Sequence, residues 1–300
     1  MPAHQNIVPR LLDALSPGRG PQVQIMSDLH LEVGQQYQTF DFPAAGKLLI
    51  LAGDIGRLID YEGYRAFLER QVGRFAKVGL VLGNHEFFGL SYEEGISKAK
   101  QLAKEPSLEE KLVLLNQGVW TDKTTGSIIM GCTLWSFIPD SARAIVESKI
   151  SDYKKIDGWS VDKNNERHVE EAAWLASELQ SLSDASKLNH QQQARNILVV
   201  THHAPSLTGT SAPEHADNPW TPAFATDLLP RLNTDRVKTW VFGHTHHTTE
   251  LFSDGVHLIA NQRGYVFPGN RPKTPQEPAK WSWTRKPDRS KFDPKRVVRL

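Results

Sequence analysis

Short apolar runs recur along the chain, and most of them end at a polar or glycine-rich stretch. Residues 47–52 and 79–82 are almost continuously apolar, which is typical of parallel strands covered on both faces. Residues 61–77 instead carry aromatic and aliphatic side chains at helical spacing, which predicts a helix with one buried face. The pattern predicts an α/β fold in which strands and helices alternate.

The same pattern predicts the other elements. Strands are predicted at residues 23–27, 47–52, 79–82, 111–115, 127–134, 196–200, 238–242, 249–252 and 256–260. Helices are predicted at residues 61–77, 91–103 and 165–182, with a short helical piece at 223–232. Residues 140–165 are predicted to be irregular or weakly helical. Residues 206–222 are predicted to form a long loop, of a kind often found beside functional sites.

Proline, glycine and charge divide the chain into three parts. Residues 1–21 are predicted to be an N-terminal leader segment that ends in a Pro/Gly break, and residues 22–270 hold the alternating strands and helices. Residues 271–300 contain ten Lys/Arg, three Asp/Glu and five Pro. This extension is either a disordered basic tail or a wrap on the core that ends in a strand. We favour the wrap, because Trp281, Trp283 and Phe292 need burial.

Composition excludes several classes of protein. Hydrophobic residues make up 39% of the chain and the formal net charge is +1, so no general attraction to nucleic acid or membrane surfaces is expected. No apolar run approaches the roughly 18 residues of a membrane span, and the N-terminus lacks the apolar segment of a secretory signal. The single cysteine, Cys132, rules out an intrachain disulfide and favours a reducing compartment such as the cytoplasm.

Five predicted strands end in side chains that can bind metals or phosphate. Each stretch alone also fits a solvated turn, but surface histidines would scatter, whereas seven of the twelve histidines lie in four of these stretches. The carboxyl ends of strands in an α/β sheet meet at one edge. Asp28 and His30 are expected to face one point, since positions i and i+2 of a strand share a face. The stretches are Asp28-Leu29-His30, Gly53-Asp54, Gly83-Asn84-His85-Glu86, Thr201-His202-His203 and Gly243-His244-Thr245-His246-His247.

The donors in these five stretches suit transition metals. Two carboxylates, one carboxamide and several imidazoles are ligands that Zn, Mn and Fe accept. Six or seven such donors exceed the need of one ion, whereas two ions about 3.5–4 Å apart that share a carboxylate would use them all. We therefore expect two divalent or mixed-valence ions of Mn, Zn or Fe as cofactors.

In order and placement, the five stretches resemble the sequence blocks of the calcineurin-like metallophosphoesterases. The resemblance spans residues 23–260, and no ligand position departs from the family pattern. It implies a four-layer α/β/β/α sandwich of the metallophosphoesterase type, with a dinuclear site at the sheet edge. It assigns one metal to Asp28, His30, Asp54 and His246, and the other to Asp54, Asn84, His202 and His244, so that Asp54 bridges the two.

The resemblance also implies a reaction. A hydroxide that bridges the ions would attack phosphorus in line, and nearby charges would stabilise the phosphoryl oxygens. His85 would bind no metal and would be the catalytic residue, donating to the departing oxygen or binding a phosphoryl oxygen. The expected function is therefore hydrolysis of a small-molecule phosphodiester or phosphomonoester.

Three more residues are candidates for substrate binding. Strand alternation turns His203 away from His202, toward a second layer around the metals, a pocket wall or the core. Arg263 either clamps phosphate through two hydrogen bonds or forms a structural ion pair. Trp135 is interpreted mainly as packing, with a substrate-pocket wall as the alternative. His247 is expected to face away from the ligands.

Two other functions compete with this one. A nuclease would need a basic channel, and the net charge of +1 argues against one except at the C-terminal cluster. A non-catalytic scaffold would lack ligands or His85, and this chain keeps both. The residues after Asp54, which include Arg57, depart from the Gly-Asp-x-Val-Asp-Arg-Gly form of protein Ser/Thr phosphatases. We expect an enzyme for small molecules that binds neither membranes nor nucleic acid.

Overall fold

Buried apolar strands form the centre of the computed structural model, which describes residues 20–188, 196–267 and 289–300. The strands in these ranges are β1 (Gln22–Met26), β2 (Leu48–Ala52), β3 (Lys77–Val81), β4 (Leu112–Leu114), β5 (Gly118–Thr121), β6 (Ile128–Cys132), β7 (Ile197–Thr201), β8 (Val237–Phe242), β9 (Thr249–Ser253), β10 (Val256–Ala260) and β11 (Val297–Arg299).

Five α-helices lie in the described ranges, and short 3-10 turns follow several of the strands. The helices are α1 (Tyr61–Val72), α2 (Tyr92–Leu102), α3 (Asp140–Lys149), α4 (Asp152–Lys155) and α5 (Val161–Leu188). Helix α2 begins with a capping box, in which the side chains of Ser91 and Glu94 each accept from the other residue's backbone N–H. The 3-10 turns are Leu58–Asp60, His85–Phe87, Pro213–His215, Thr221–Ala223 and Leu229–Arg231.

The strands form two mixed sheets that are parallel at their centres. The first has the order β11-β1-β2-β3-β4, and the second has the order β5-β6-β7-β8-β10-β9. Strands β1 to β4 pair in parallel, as do β6, β7, β8 and β10, whereas β11, β5 and β9 each add an antiparallel strand. Parallel central strands bring their carboxyl ends to the same edge of each sheet.

Three apolar clusters show how the layers are stacked. Ile25 and Ile50 of the first sheet pack with Leu198 and Val241 of the second, so the two sheets face each other. The outer face of the first sheet packs on α1, and that of the second packs on α5 through residues such as Leu175. This order of layers confirms the predicted four-layer α/β/β/α sandwich.

Most predicted strands and helices are present, and their ends differ by a few residues. The helix predicted at 61–77 ends at Val72, because Gly73 follows it and Lys77 begins β3. Strand β5 was not predicted, since its pattern is only half-buried. The helical piece predicted at 223–232 is reduced to short 3-10 turns.

The prediction for residues 140–165 was wrong. Helices α3 and α4 occupy much of this segment, and α5 begins inside it and extends beyond the predicted 165–182. Helix α3 buries only Ala142 and Val146, so its apolar stripe is too narrow to stand out in the sequence.

The C-terminal residues 289–300 return to the core. Strand β11 pairs with β1, and Phe292 packs against the cluster under α1. The predicted leader up to residue 19, and Trp281 and Trp283, lie outside the described residues, so the three-part division stays a prediction. Within the described ranges, no helix is both long and apolar enough to cross a membrane.

Candidate metal centre

The side chains at the sheet edge are presented by unusual backbone turns. Asp28, His30, Asp54, His244 and His246 all have positive φ, between 47° and 68°. Such left-handed conformations cost non-glycine residues about 1–3 kcal/mol each, and they cluster at functional sites. Strand β1 already ends at Met26. Left-handed turns, rather than the expected strand alternation, therefore aim Asp28 and His30 at one point.

Two groups of donors converge at this edge. Within each group, the potential ligand atoms lie within 4.8 Å of one another. The first group is Asp28, His30, Asp54 and His246, and the second is Asp54, His202 and His244. Asp54 belongs to both groups, with Oδ1 3.3 Å from His202 Nε2 and Oδ2 3.8 Å from His30 Nε2. One carboxylate therefore faces both halves of the site.

The spacing of these atoms fits bound metal ions. The two Nε2 atoms of His30 and His246 are 2.9 Å apart, and His246 Nε2 is 3.4 Å from Asp28 Oδ1. Ligands held about 2.0–2.2 Å from a common ion are separated by roughly 3–3.4 Å. His244 Nε2 is buried and has no hydrogen-bond partner among the described residues, as expected of a nitrogen that binds a metal. The donor set and its geometry therefore fit two transition-metal ions.

Asp54 also controls the charge of His202. Burial alone would lower the pKa of His202, but the Asp54 carboxylate reverses this effect and raises it to about 10. A metal ligand must be neutral imidazole, so ion binding would release this proton. The pKa of Asp54 itself lies well below its usual range, because His202 and His85 outweigh the effect of burial.

Glu86 fixes the loops that carry Asp54 and Asn84. Its carboxylate accepts hydrogen bonds from the backbone N–H groups of Gly83 at 2.7 Å and of Asp54 and Ile55 at 2.9 Å, and from the Tyr64 hydroxyl. Glu86 belongs to the third block, but no role was predicted for it. The structure shows that it joins the ends of β2 and β3.

Asn84 is oriented by a residue from a distant helix. Its Nδ2 donates to Asp152 Oδ1 at 2.7 Å, which turns Oδ1 toward His202 Nε2 at 3.2 Å. Asp152 is buried on α4, and nothing in the sequence links it to residue 84. The carboxylate therefore selects the amide orientation in which the oxygen faces the donor cluster.

Replacing Asp152 by alanine is expected to weaken metal binding. Removing a residue that orients a ligand typically lowers metal affinity about 10–100-fold. Competition titration with a metal-binding dye would measure the change, with the exposed Asp140→Ala as a matched control. Unchanged affinity would show that the orientation of Asn84 does not matter for binding.

His85 lies beside the cluster, between two residues that were not predicted. Its Nδ1 is 2.8 Å from Glu32 Oε1, and its Nε2 is 3.0 Å from the Tyr265 hydroxyl. Burial opposes the charged imidazole, but the carboxylates of Asp54 and Glu32 raise the pKa of His85 above its ordinary value. Glu32 Oε1 also lies 3.3 Å from His30 Nδ1. The only sequence signals were that Glu32 follows the first block and that Tyr265 follows the last core strand.

His203 supports the site from behind. It is buried, its Nδ1 lies 2.7 Å from Ser136 Oγ, and its ring stacks on His244 at 4.1 Å. The backbone N–H groups of His202 and His203 both donate to the Thr133 carbonyl. His203 does not line the cavity above the site, and its stacking on a predicted ligand favours the alternative of a second layer around the metals. A contact between His203 and substrate stays a prediction.

The backbone at Thr133 and Leu134, which bonds His203, is also held by a buried acid, Glu171. Glu171 accepts a hydrogen bond from the Leu134 N–H, and burial raises the pKa of Glu171 from 4.5 to about 8. The folded protein therefore retains this proton between about pH 4.5 and pH 8, where the unfolded chain has lost it. The contribution of Glu171 to stability falls as the pH rises through this window.

Glu171→Gln is expected to remove this pH dependence, since glutamine is neutral throughout. From pH 5 to pH 8, the unfolding free energy of wild type is expected to fall by about 3.5 kcal/mol relative to that of the variant. The full slope is about 1.4 kcal/mol for each pH unit, and it flattens near the two pKa values. Urea denaturation at both pH values measures this fall, and the neighbouring Glu170→Gln serves as the control. Equal pH profiles for wild type and Glu171→Gln would contradict the expectation.

A cavity of 420 Å³ opens above the donor cluster. Residues from both predicted ligand groups form its floor, while residues 149–152 and the loop 211–224 form much of its wall. Trp220, Ile150 and Phe224 supply apolar surface, and Lys149 supplies a positive charge. This size falls within the range of small-molecule sites.

Two other predicted substrate contacts are absent from this cavity. Trp135 is fully buried, and its ring packs against Trp159 at 4.6 Å, so packing explains it and the pocket-wall alternative is corrected. Arg263 donates to the Leu29 carbonyl at 2.9 Å and to Gln36 Oε1 at 2.7 Å. These two bonds favour the structural alternative for Arg263, and the phosphate clamp stays a prediction.

The sequence of this chain is similar to those of known proteins. The family model of calcineurin-like phosphoesterases matches residues 22–248. The uncharacterized protein L509 of Acanthamoeba polyphaga mimivirus is 26% identical, over 83% of this chain and 92% of that protein. The family match extends across all five blocks.

Solved structures resemble this chain to different degrees. The phosphopantetheinyl hydrolase PptH of Mycobacterium tuberculosis superposes with a TM-score of 0.55 at 19% identity, covering 83% of this chain and 91% of that one. A dimetal phosphatase of Danio rerio gives a TM-score of 0.44 at 11% identity, covering 80% and 86% of the two chains. The family match confirms the resemblance drawn from the five blocks: the chain belongs to the calcineurin-like phosphoesterase family, and it is a phosphoesterase enzyme.

Proposed function

We propose that this protein hydrolyses phosphodiesters or phosphomonoesters of small organic molecules at the edge of its two sheets. The observation that carries the proposal is the position of Asp54, whose two oxygens face the two halves of the donor cluster. We assign one metal to Asp28, His30, Asp54 and His246, and the other to Asp54, Asn84, His202 and His244.

Two such ions supply Lewis acidity, which lowers the pKa of water and offsets charge on a phosphoryl group. Asp54 holds the two halves of the site together, and Asp152 holds the Asn84 amide oxygen toward them. The remaining histidines contribute neutral nitrogen donors, which are compatible with Mn, Zn or Fe.

His85 is proposed to act on the leaving group. Its ring lines the cavity floor, with Nδ1 held by Glu32 and Nε2 directed toward Tyr265. Because a carboxylate only accepts hydrogen bonds, the contact with Glu32 places one proton on Nδ1. In the imidazolium form, Nε2 carries the second proton and directs it toward the cavity. A positioned acid of this kind assists departure of an alkoxide.

The cavity favours a small molecule over nucleic acid. Its wall combines apolar surface with one lysine rather than a row of basic side chains, and the net charge of the chain is +1. A nuclease would need a basic channel along which phosphates could lie. The scaffold alternative would predict missing donors, and here every predicted donor lies at the site.

Hydrolysis of p-nitrophenyl phosphate and of bis-p-nitrophenyl phosphate, with Mn²⁺, Zn²⁺ or Fe²⁺ added, tests the proposal. The expected result is metal-dependent release of nitrophenolate from at least one ester, abolished by chelator. Preference for the diester would direct the search to nucleotide diesters, and preference for the monoester to small phosphorylated metabolites. Activity confined to DNA or RNA, with steep salt dependence, would overturn the small-molecule assignment.

A further inference from the structure

Tyr265 lies directly over the candidate metal centre. Its ring centroid is 4.2 Å from that of His30 and 4.9 Å from that of His246, and it lines the cavity. His30 is fully buried, whereas Tyr265 is 45% exposed. It therefore stands between the donor cluster and the space that a substrate would enter.

The hydroxyl of Tyr265 is hydrogen-bonded to Nε2 of His85, the ring nitrogen that faces the cavity. The distance to Nε2 is 3.0 Å, and the other ring nitrogen is already 2.8 Å from Glu32. The His85 side chain is only 8% exposed. A leaving group that approaches His85 from the cavity therefore meets the tyrosine hydroxyl at the same position.

The backbone holds Tyr265 in place through the first block. Arg263 N–H donates to the Ser27 carbonyl and Gly264 N–H to the Asp28 carbonyl, at 3.2 and 3.0 Å. The Arg263 guanidinium adds the bond to the Leu29 carbonyl. These contacts join residues 263–265 to the turn that presents Asp28, so the position of Tyr265 is fixed relative to the donors.

We propose that Tyr265 is a catalytic residue whose hydroxyl, oriented by His85, donates a hydrogen bond to the oxygen of the leaving group. The inference rests on the proposed phosphoester hydrolysis and adds the group that touches the departing oxygen. The hydroxyl of a tyrosine is a hydrogen-bond donor at neutral pH. Its half-exposed ring leaves room for the hydroxyl to turn toward a substrate.

The test compares Tyr265→Phe with wild type on two esters that share a phosphoryl group but differ in leaving group. Loss of a hydrogen bond to a developing charge is worth about 1.5–3 kcal/mol, or about 10–100-fold in rate. This loss in kcat is expected with an aliphatic alcohol as leaving group. With p-nitrophenolate, which departs without assistance, a loss of only a few-fold is expected. Tyr61→Phe, whose hydroxyl contacts Glu105 far from the cavity, is the matched control.

A double-variant cycle tests the link to His85. If His85 acts through Tyr265, the variant with both His85→Ala and Tyr265→Phe is no slower than His85→Ala alone. Metal content, measured by mass spectrometry, is expected to remain unchanged in Tyr265→Phe. Full multiplication of the two effects would overturn the proposed link.

Three further outcomes would overturn the role of Tyr265. The first is equal loss with both leaving groups, the second is a rise in kcat that marks Tyr265 as a mere cover, and the third is loss of bound metal. Each of these leaves wild-type phosphoesterase activity intact, so it refutes this inference alone. Absence of metal-dependent hydrolysis in wild type would instead refute the proposed function and this inference with it.

Discussion

Replacing Asp54 by asparagine is expected to lower kcat/KM about a thousandfold or more, since a metal contributes several kcal/mol to the transition state. The reason is geometric as well as electrostatic. Both Asp54 oxygens face ligand nitrogens, one toward His202 and one toward His30. An asparagine offers one oxygen and one N–H₂ donor, so it cannot serve both halves of the site.

The same variant is expected to lose bound metal. The metal content of the purified protein, measured by elemental analysis, is expected to fall from two ions per chain to one or none. The fold is expected to survive, because Glu86 bonds the backbone N–H of residue 54 rather than its side chain, and circular dichroism checks this. Asp60→Asn, which changes a carboxylate paired with Arg57, is the control. Full activity in Asp54→Asn would refute the dinuclear assignment.

Replacing His85 by alanine is expected to lower kcat about 10²–10⁴-fold, the usual contribution of a positioned acid or base. Both metals should remain bound, because His85 faces the cavity beside the two ligand groups assigned above. The loss should be larger for an aliphatic leaving group than for p-nitrophenolate. Kinetics together with metal analysis would measure all three expectations.

An alternative geometry makes the metal analysis decisive. His30, Glu32 and His85 also lie close enough together to hold an ion. If His85→Ala lost metal, His85 would be a ligand rather than the residue that assists departure. His247→Ala provides a matched control, because His247 follows a predicted ligand but lies outside these groups.

Local sequence patterns predicted the strands and the chemistry at their ends. A strand that is covered on both faces has a continuous apolar run. Residues 48–52 have such a run, and they form the fully buried strand β2. Helix α3 and strand β5 were missed because their apolar stripes are narrow or half-exposed. Single-sequence periodicity reports burial and therefore fails where burial is partial.

The residues that surround the site could not be predicted from local sequence patterns. Each of these residues contacts a partner that is distant in the sequence. Glu32 is 53 residues from His85, Asp152 is 68 residues from Asn84, and Tyr265 is 180 residues from His85. These contacts depend on how α4 and the end of the second sheet pack against the first sheet. The same packing buries Trp135, which agrees with its main interpretation, and gives Arg263 structural partners.

The sequence by itself determined the fold class, the family and the identity of the donors, because strand periodicity and residue type are local properties of the chain. Only the tertiary structure decided which acids orient Asn84 and His85, and which hydroxyl lies over the cavity. Those choices depend on the left-handed turns at Asp28 and Asp54 and on the contact between two sheets. Neither leaves a periodic signal in the sequence.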